Sequence, residues 1–257
     1  MMLAKPKLGV FKFSSCDGCQ LSILDAEREL LALLDKVDLA EFLEASSAKM
    51  DPPYDLALVE GSISTQEEVE RIVRIRKESK ILVAIGACAT SGGLQALRNW
   101  SRLGLLESAV YPEPKVARAL EMAFPVSDFV AVDFELRGCP VSKAQLLQFL
   151  ATVLRGARPR LPRNAVCFEC KRAGNACLVV AGGTPCLGPV TSAGCGAMCP
   201  TYGRGCFGCF GPSNDVNLDS YASWLEAHGV EHSLVESLVK GANSQSTEFR
   251  RWLEKHG

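Results

Sequence analysis

Twelve cysteines stand at positions 16, 19, 88, 139, 167, 170, 177, 186, 195, 199, 206 and 209 of this 257-residue chain. They constrain its fold more than any other feature. The N-terminus runs almost at once into a strand-like segment, with no basic n-region, twin-arginine pair or apolar h-region, so the sequence reads as retained in the cytoplasm. Thiols in that reducing compartment do not build a disulfide framework, and buried structural thiols do not gather into pairs such as Cys16/Cys19 and Cys206/Cys209. Metal is therefore the leading explanation. The only histidines are His228, His232 and His256, so a metal bound before residue 220 is held mainly by thiolate.

Charge and hydropathy narrow the class further. Lysine plus arginine (28) nearly balances aspartate plus glutamate (29), which recommends neither nucleic acid nor an anionic membrane as partner. Runs such as Phe129–Val132 and Cys177–Ala181 are far short of the ~20 apolar residues of a membrane span. With 47% apolar residues the chain can bury a sizeable core.

The first half alternates strand and helix patterns. Strands are expected at 7–13, 37–43, 55–59, 80–85 and 129–134, and helices at 20–34, from a cap at Thr65 to about Ser79, and at 142–155 with Ser142 as N-cap. Between the last two strands lies a less regular stretch with Pro112, Pro114 and Pro125. This is the pattern of an α/β fold, a flavodoxin-like doubly wound parallel sheet, over residues 1–158. From 159 to 257 a second domain is expected. Its first part is irregular, rich in cysteine, glycine and proline, and bound inorganic structure would substitute there for a side-chain core. Helical patterns return at 217–228, 233–240 and 246–255.

Cys16, Cys19, Cys88 and Cys139 each lie beyond the carboxyl end of an expected strand. In an open parallel sheet those ends share one edge, where ligands bind, so four distant thiols can converge on one site. The eight later cysteines divide in sequence order into Cys167, Cys170, Cys177 and Cys186, then Cys195, Cys199, Cys206 and Cys209. Exchange of Cys186 or Cys195 between the two sets stays open, because neighbouring cysteines can serve different clusters. Twelve thiolates would hold three [4Fe–4S] clusters, and proline after a ligand, as in Cys139-Pro140 and Cys199-Pro200, is common there. Two other readings remain: a redox dithiol at Cys16/Cys19, which leaves Cys88 and Cys139 without a role, and three zinc sites in an interaction module without redox chemistry.

The motifs CDGCQ (16–20), VEGSI (59–63), GACATSGG (86–93), GCP (138–140), PCLGPVTSAGCGAMCP (185–200) and GCFGC (205–209) together resemble the small, electron-transferring subunit of nickel–iron hydrogenases, over about residues 7–212. The resemblance implies a proximal cluster on Cys16, Cys19, Cys88 and Cys139, beside the nickel–iron centre of a large subunit. It further implies a medial cluster on Cys195, Cys199, Cys206 and Cys209, and a distal one on Cys167, Cys170, Cys177 and Cys186. Exported members carry a twin-arginine signal, a distal histidine and often a three-iron medial cluster. This chain has Cys167 and Cys199 at the two ligand positions instead, which narrows the resemblance to cytoplasmic multimeric hydrogenases, nearest to the NAD(P)-linked sulfhydrogenases. Their partners would be the large subunit plus iron–sulfur and diaphorase subunits with flavin and NAD(P). Relatives that reduce the deazaflavin F420 or feed heterodisulfide reductase are alternatives. The cluster-bearing subunit of complex I shares the N-terminal pattern, but its adjacent cysteine pair and the eight-cysteine extension set it apart.

No catalytic residue is expected on this chain. Glu60 stands either near the proximal cluster or as a solvated strand-end carboxylate, and Ser14, Ser15 and Thr90 either bond cluster sulfur or cap loops. Gly61 and the glycines around Cys88 would suit a flavin phosphate, although the cysteines occupy that same edge.

Overall fold

A computed structural model describes residues 5–113, 118–162 and 164–257; Pro114 lies outside the described residues. Five strands, β1 (Lys7–Lys12), β2 (Asp38–Phe42), β3 (Tyr54–Glu60), β4 (Ser79–Ile85) and β5 (Phe134–Leu136), form one sheet in the order β2-β1-β3-β4-β5. Every pairing is parallel. The order reverses between β1 and β3, the switch point of a flavodoxin-like sheet.

Side-chain alternation explains the two packed faces. Leu8, Val10, Leu56, Leu58, Val83 and Ile85 point to one side, against Ile23, Leu33, Leu146 and Phe149 of helices α1 (Gly18–Leu24), α2 (Glu27–Leu34) and α6 (Lys143–Val153). Phe11, Ala57, Val59, Leu82 and Ala84 point to the other, against Ile72 and Ile75 of α3 (Gln66–Glu78). Two buried faces are why β3 and β4 read as nearly unbroken apolar runs. Thr65 caps α3 through a reciprocal bond set with Glu68, and Ser142 Oγ accepts from the Gln145 amide to start α6.

Two expected elements differ. The helix expected over 20–34 is broken at Asp25–Ala26, where Glu27 takes φ 35°. The break lets Ile23 and Leu33 enter the same core. The strand expected at 129–134 begins only at Phe134. Phe129, Val130 and Val132 pack under the sheet from outside it, with Phe129 edge-on to Phe124 at 5.6 Å. Asp133 ends that approach by accepting from the Leu82 amide at 2.8 Å and pairing with Arg76 at 2.6 Å. Burial, not pairing, explains the apolar run.

Helix α4 (Gly86–Ser91) leaves β4 directly, and α5 (Leu103–Val110) follows on the surface. Residues 164–212 hold only short helices: α7 (Val166–Arg172), α8 (Leu178–Gly182), α9 (Met198–Thr201) and one 3-10 turn at Gly188–Val190. Helices α10 (Leu218–Ala227), α11 (His232–Val239) and α12 (Thr247–His256) then close over Leu187 and Val190 with a core that includes Leu225, Val235, Phe249 and Trp252. Arg137, just past β5, donates to the Pro212 carbonyl at 2.9 Å and ties this part to the sheet.

Candidate functional site

The carboxyl edge of the sheet gathers the four dispersed cysteines. Asp17, in the left-handed region at φ 64° and held by Lys12 at 2.6 Å, turns the chain from β1 into α1; Cys16 stays exposed and Cys19 is buried in the first helical turn. Cys88 sits in α4 immediately after β4, and Cys139 follows β5 in the Gly138–Pro140 turn. Ala87 N–H donates to the Gly138 carbonyl at 2.7 Å, which draws the last two loops together.

These thiols are neighbours electrostatically. Burial, aided by Glu60, Cys88 and Cys139 and opposed by the Val141 amide, pushes the Cys19 thiol up; burial together with Cys139 and Cys16 pushes Cys88 up to about 12. Burial and Cys16 push Cys139 in the same direction. Three crowded thiols that resist ionisation alone, Cys19, Cys88 and Cys139, would give up their protons to a cationic metal centre, which supplies the missing positive charge.

Backbone and side-chain contacts fix the set. The Val141 amide donates to Cys19 Sγ at 3.4 Å, and the Cys88 thiol donates to Gln95 Oε1 at 3.3 Å. Gly86 and Gly93, both at positive φ, lie so close that a methyl group on either would collide with Cys19 Sγ or Cys88 Sγ respectively. Glu60, only 2% exposed, accepts from the Cys19 amide at 3.1 Å and from the Gln20 side chain at 2.7 Å. Its carboxyl is held above the usual range by burial, with those two donors opposing. The solvated alternative for Glu60 is thereby excluded, and Ser14 and Thr90 are engaged elsewhere: Ser14 Oγ donates to Glu68 and Thr90 Oγ1 to the Gly86 carbonyl.

The later cysteines form two adjoining sets. Cys167 and Cys170 lie one turn apart on α7, Cys177 caps α8, and Cys186 is buried behind them. All four line one cavity of about 70 Å³, walled otherwise by residues including Leu178, Val179 and Pro189. Burial and the other three thiols push Cys167 up to about 11. Cys195 precedes α9 and Cys199 lies within it, and the chain returns through Cys206 and Cys209. Burial, with Cys195, Cys139 and Cys199 nearby, pushes Cys209 up to about 11. The Cys206 thiol is pushed up to about 12 by burial, with Cys186 and Cys209 adding to it.

Two contacts connect the three sets. Cys209 neighbours Cys139 and accepts from its backbone amide, and the Cys206 amide donates to Cys186 Sγ at 3.1 Å. Among the described residues, no three cysteine, histidine, aspartate or glutamate side chains converge as they would around a single metal ion.

Three residues join the site that the sequence did not point to. Glu169, between Cys167 and Cys170 on α7, accepts from the Gly194 and Gly196 amides at 3.0 Å each, and so fixes the loop of Cys195. It is the one acid between residues 136 and 214, a signal that was readable. Gln95 and Tyr221, whose hydroxyl donates to the Cys186 carbonyl at 2.6 Å, carry no such signal. The three histidines lie in α11, in α12 and just after α10, where none faces a cysteine set; His256 pairs with Asp219 at 2.8 Å and His232 with Glu226 at 2.6 Å.

Known proteins resemble this chain in sequence and fold. The family described as NADH ubiquinone oxidoreductase, 20 Kd subunit, matches residues 16–153, the stretch that holds the first four cysteines. Sulfhydrogenase 2 subunit delta of Pyrococcus furiosus is 42% identical over 212 residues, 82% of this chain and 89% of that protein. One subunit of the F420-non-reducing hydrogenase vhu of Methanocaldococcus jannaschii is 32% identical over 265 residues, 91% of this chain and 92% of that one. A chain of an NAD+-reducing [NiFe]-hydrogenase, solved in the H2-reduced state, superposes with a TM-score of 0.57 at 33% identity over 62% of this chain and 96% of its own length. Among the described residues, no helix is long and apolar enough to cross a membrane.

Proposed function

The chain belongs to the NADH ubiquinone oxidoreductase 20 Kd subunit family, alongside subunits of a sulfhydrogenase and of an F420-non-reducing hydrogenase, and from that membership we propose that it is the electron-transferring small subunit of a cytoplasmic nickel–iron hydrogenase. Hydrogen is oxidised, or protons reduced, in a separate large subunit. A diaphorase subunit reduces NAD(P) at the other end, with flavin there. Residues 1–158 form the sheet domain with one cluster site, and 159–257 the domain with two.

The residues fit three [4Fe–4S] groups, four thiols each. Cys16, Cys19, Cys88 and Cys139 would hold the proximal one, Cys195, Cys199, Cys206 and Cys209 the medial one, and Cys167, Cys170, Cys177 and Cys186 the distal one. Such clusters supply reversible one-electron carriers. This chain's own part is to hold them in file and to set their surroundings. The Val141 amide on Cys19, the Cys206 and Gly188 amides on Cys186 and the Gly208 amide on Cys206 place hydrogen-bond donors on ligand sulfur, which raises a reduction potential.

One observation supports the reading: Cys139 contacts Cys209 and Cys206 contacts Cys186, so each proposed thiol set adjoins the next. A zinc-stabilised module without redox chemistry has no use for thiol sets in succession.

The test is anaerobic purification of the native complex. A co-eluting large subunit with four nickel–iron thiolates and hydrogen-dependent NAD(P) reduction are expected. Cys16→Ala should abolish that reduction and leave NAD(P)H-dependent dye reduction by the diaphorase intact; loss of neither activity contradicts the reading. A second terminal acceptor is favoured by the F420-non-reducing relative, whose likeness spans more of the chain, 91% against 82%. Co-purification without a flavin-bearing NAD(P) subunit would select it and leave the cluster line unchanged.

A further inference from the structure

Glu169 belongs to one thiol set by sequence and to the next by contact. It stands between Cys167 and Cys170 on α7, but residues one and two apart on a helix do not face each other. Its carboxylate instead crosses to the loop of Cys195, where Oε1 accepts from the Gly194 amide and Oε2 from the Gly196 amide, at 3.0 Å each. Gly194 and Gly196 both take positive φ, 138° and 66°, so the loop curls around the carboxylate. The Cys195 thiol itself reaches Oε2 at 4.0 Å.

This carboxylate brings a charge where the sequence has no other. Glu169 is the sole acid between residues 136 and 214, and among the described residues it forms no ion pair. Two backbone amides orient the charge without cancelling it. Its influence falls on one set more than the other. Burial pushes the Cys195 thiol up, the Ala197 and Met198 amides that donate to it oppose the rise, and Glu169 adds to it. Cys167, on the same helix as Glu169, answers instead to burial, to Cys186, Cys170 and Cys177, and to Lys171.

We propose that Glu169 is a positioning residue that sets the reduction potential of the group held by Cys195, Cys199, Cys206 and Cys209, acting from the helix that carries two ligands of the neighbouring group. The inference rests on the electron-transfer reading above and adds to it the side chain that lowers the middle step. A fixed negative charge beside a cluster disfavours the added electron. The same carboxylate occupies the Gly194 and Gly196 amides, which keeps two donors off ligand sulfur, where they would raise the potential. Both effects have one sign. Reduction of the group adds one electron and breaks no bond, so the whole influence of Glu169 is on that equilibrium, and a lowered middle group passes its electron on to a neighbour.

The test is an anaerobic redox titration of the assembled complex, followed by electron paramagnetic resonance, on the unsubstituted protein and on Glu169→Gln. Glutamine keeps the length of the side chain and one acceptor oxygen but carries no charge. The medial step, identified as the one altered in Cys199→Ala, rises about tenfold in equilibrium constant, which is about 59 mV for a one-electron couple. The proximal and distal steps move by less than about threefold, being farther from the lost charge. Glu169→Asp keeps the charge and withdraws it by one methylene, and gives a smaller rise in the same step, about twofold to threefold. Should Glu169→Gln lose iron, that partial rise in Glu169→Asp carries the decision. A medial step that stays in place makes Glu169 a brace of the loop alone and overturns the proposal, as does an equal rise in all three steps. An unsubstituted complex without three one-electron steps overturns the electron-transfer reading beneath it instead.

Discussion

The sheet and the cysteine-rich stretch after it solve the same problem in opposite ways. In the sheet, apolar packing on both faces holds β1, β4 and β5, and the loops at their ends carry thiols as passengers; only Cys19 of the four belongs to a hydrophobic core. Between 164 and 212 the thiols are themselves core. The cluster there consists of Val166, Ala197, Cys186 and Cys206, with Cys170, Cys195 and Val179 against it. Four buried small groups supply little transfer free energy, at about 25 cal/mol per Å² of apolar surface, and in the proposed clusters metal–thiolate bonds would replace it. A core that precedes its metal tolerates losing it; a core made of ligands does not.

The largest expected effect follows directly. Anaerobic removal of iron by chelation should leave amide protection in β3 and β4 intact and reduce residues 164–212 to nearly unprotected exchange, read by hydrogen–deuterium exchange. Equal loss in both regions would erase the distinction. A smaller, local effect is expected from Gly93→Ala. The new methyl meets Cys88 Sγ, and the backbone at φ 66° strains any side chain, together about 1–3 kcal/mol. Roughly four of the iron atoms should then be missing while the later two sets stay filled, by iron analysis and electron paramagnetic resonance.

Glu60→Ala should cost about 1–3 kcal/mol in denaturant unfolding of the sheet, since it strips a buried acceptor from the Cys19 amide and the Gln20 side chain. An unchanged midpoint would mean that water takes its place. The smallest effect concerns the C-terminal helices. Hydrogen bonds that the His232 ring donates to Glu226 and to the His256 carbonyl raise its pKa above the ordinary 6.5. A raised folded-state value means that this stabilisation is complete below about pH 6.5 and lost as pH rises through the folded pKa. Protection factors in α12, taken relative to the intrinsic exchange rate at each pH, should therefore fall modestly between about pH 6 and pH 8, and His232→Gln should remove that fall.

Much of the sheet was legible because parallel strands buried on both faces leave apolar runs, and because Thr65 and Ser142 announce their helices. β5 was misplaced for the same reason: Phe129–Val132 is as apolar as a strand, but it is buried under the sheet, and only the Asp133 contact with the Leu82 amide marks the true start. The position of the cysteines at the strand ends was legible from topology alone. Gln95 and Tyr221 were not, since one polar residue touching a thiol or a carbonyl leaves no periodicity behind.

The central claim is that twelve thiols hold iron and sulfide in three successive sets. Metal and acid-labile sulfide analysis of the anaerobically purified native protein tests it most directly: about twelve iron and about twelve sulfide per chain are predicted, and about three zinc with no labile sulfide would contradict it.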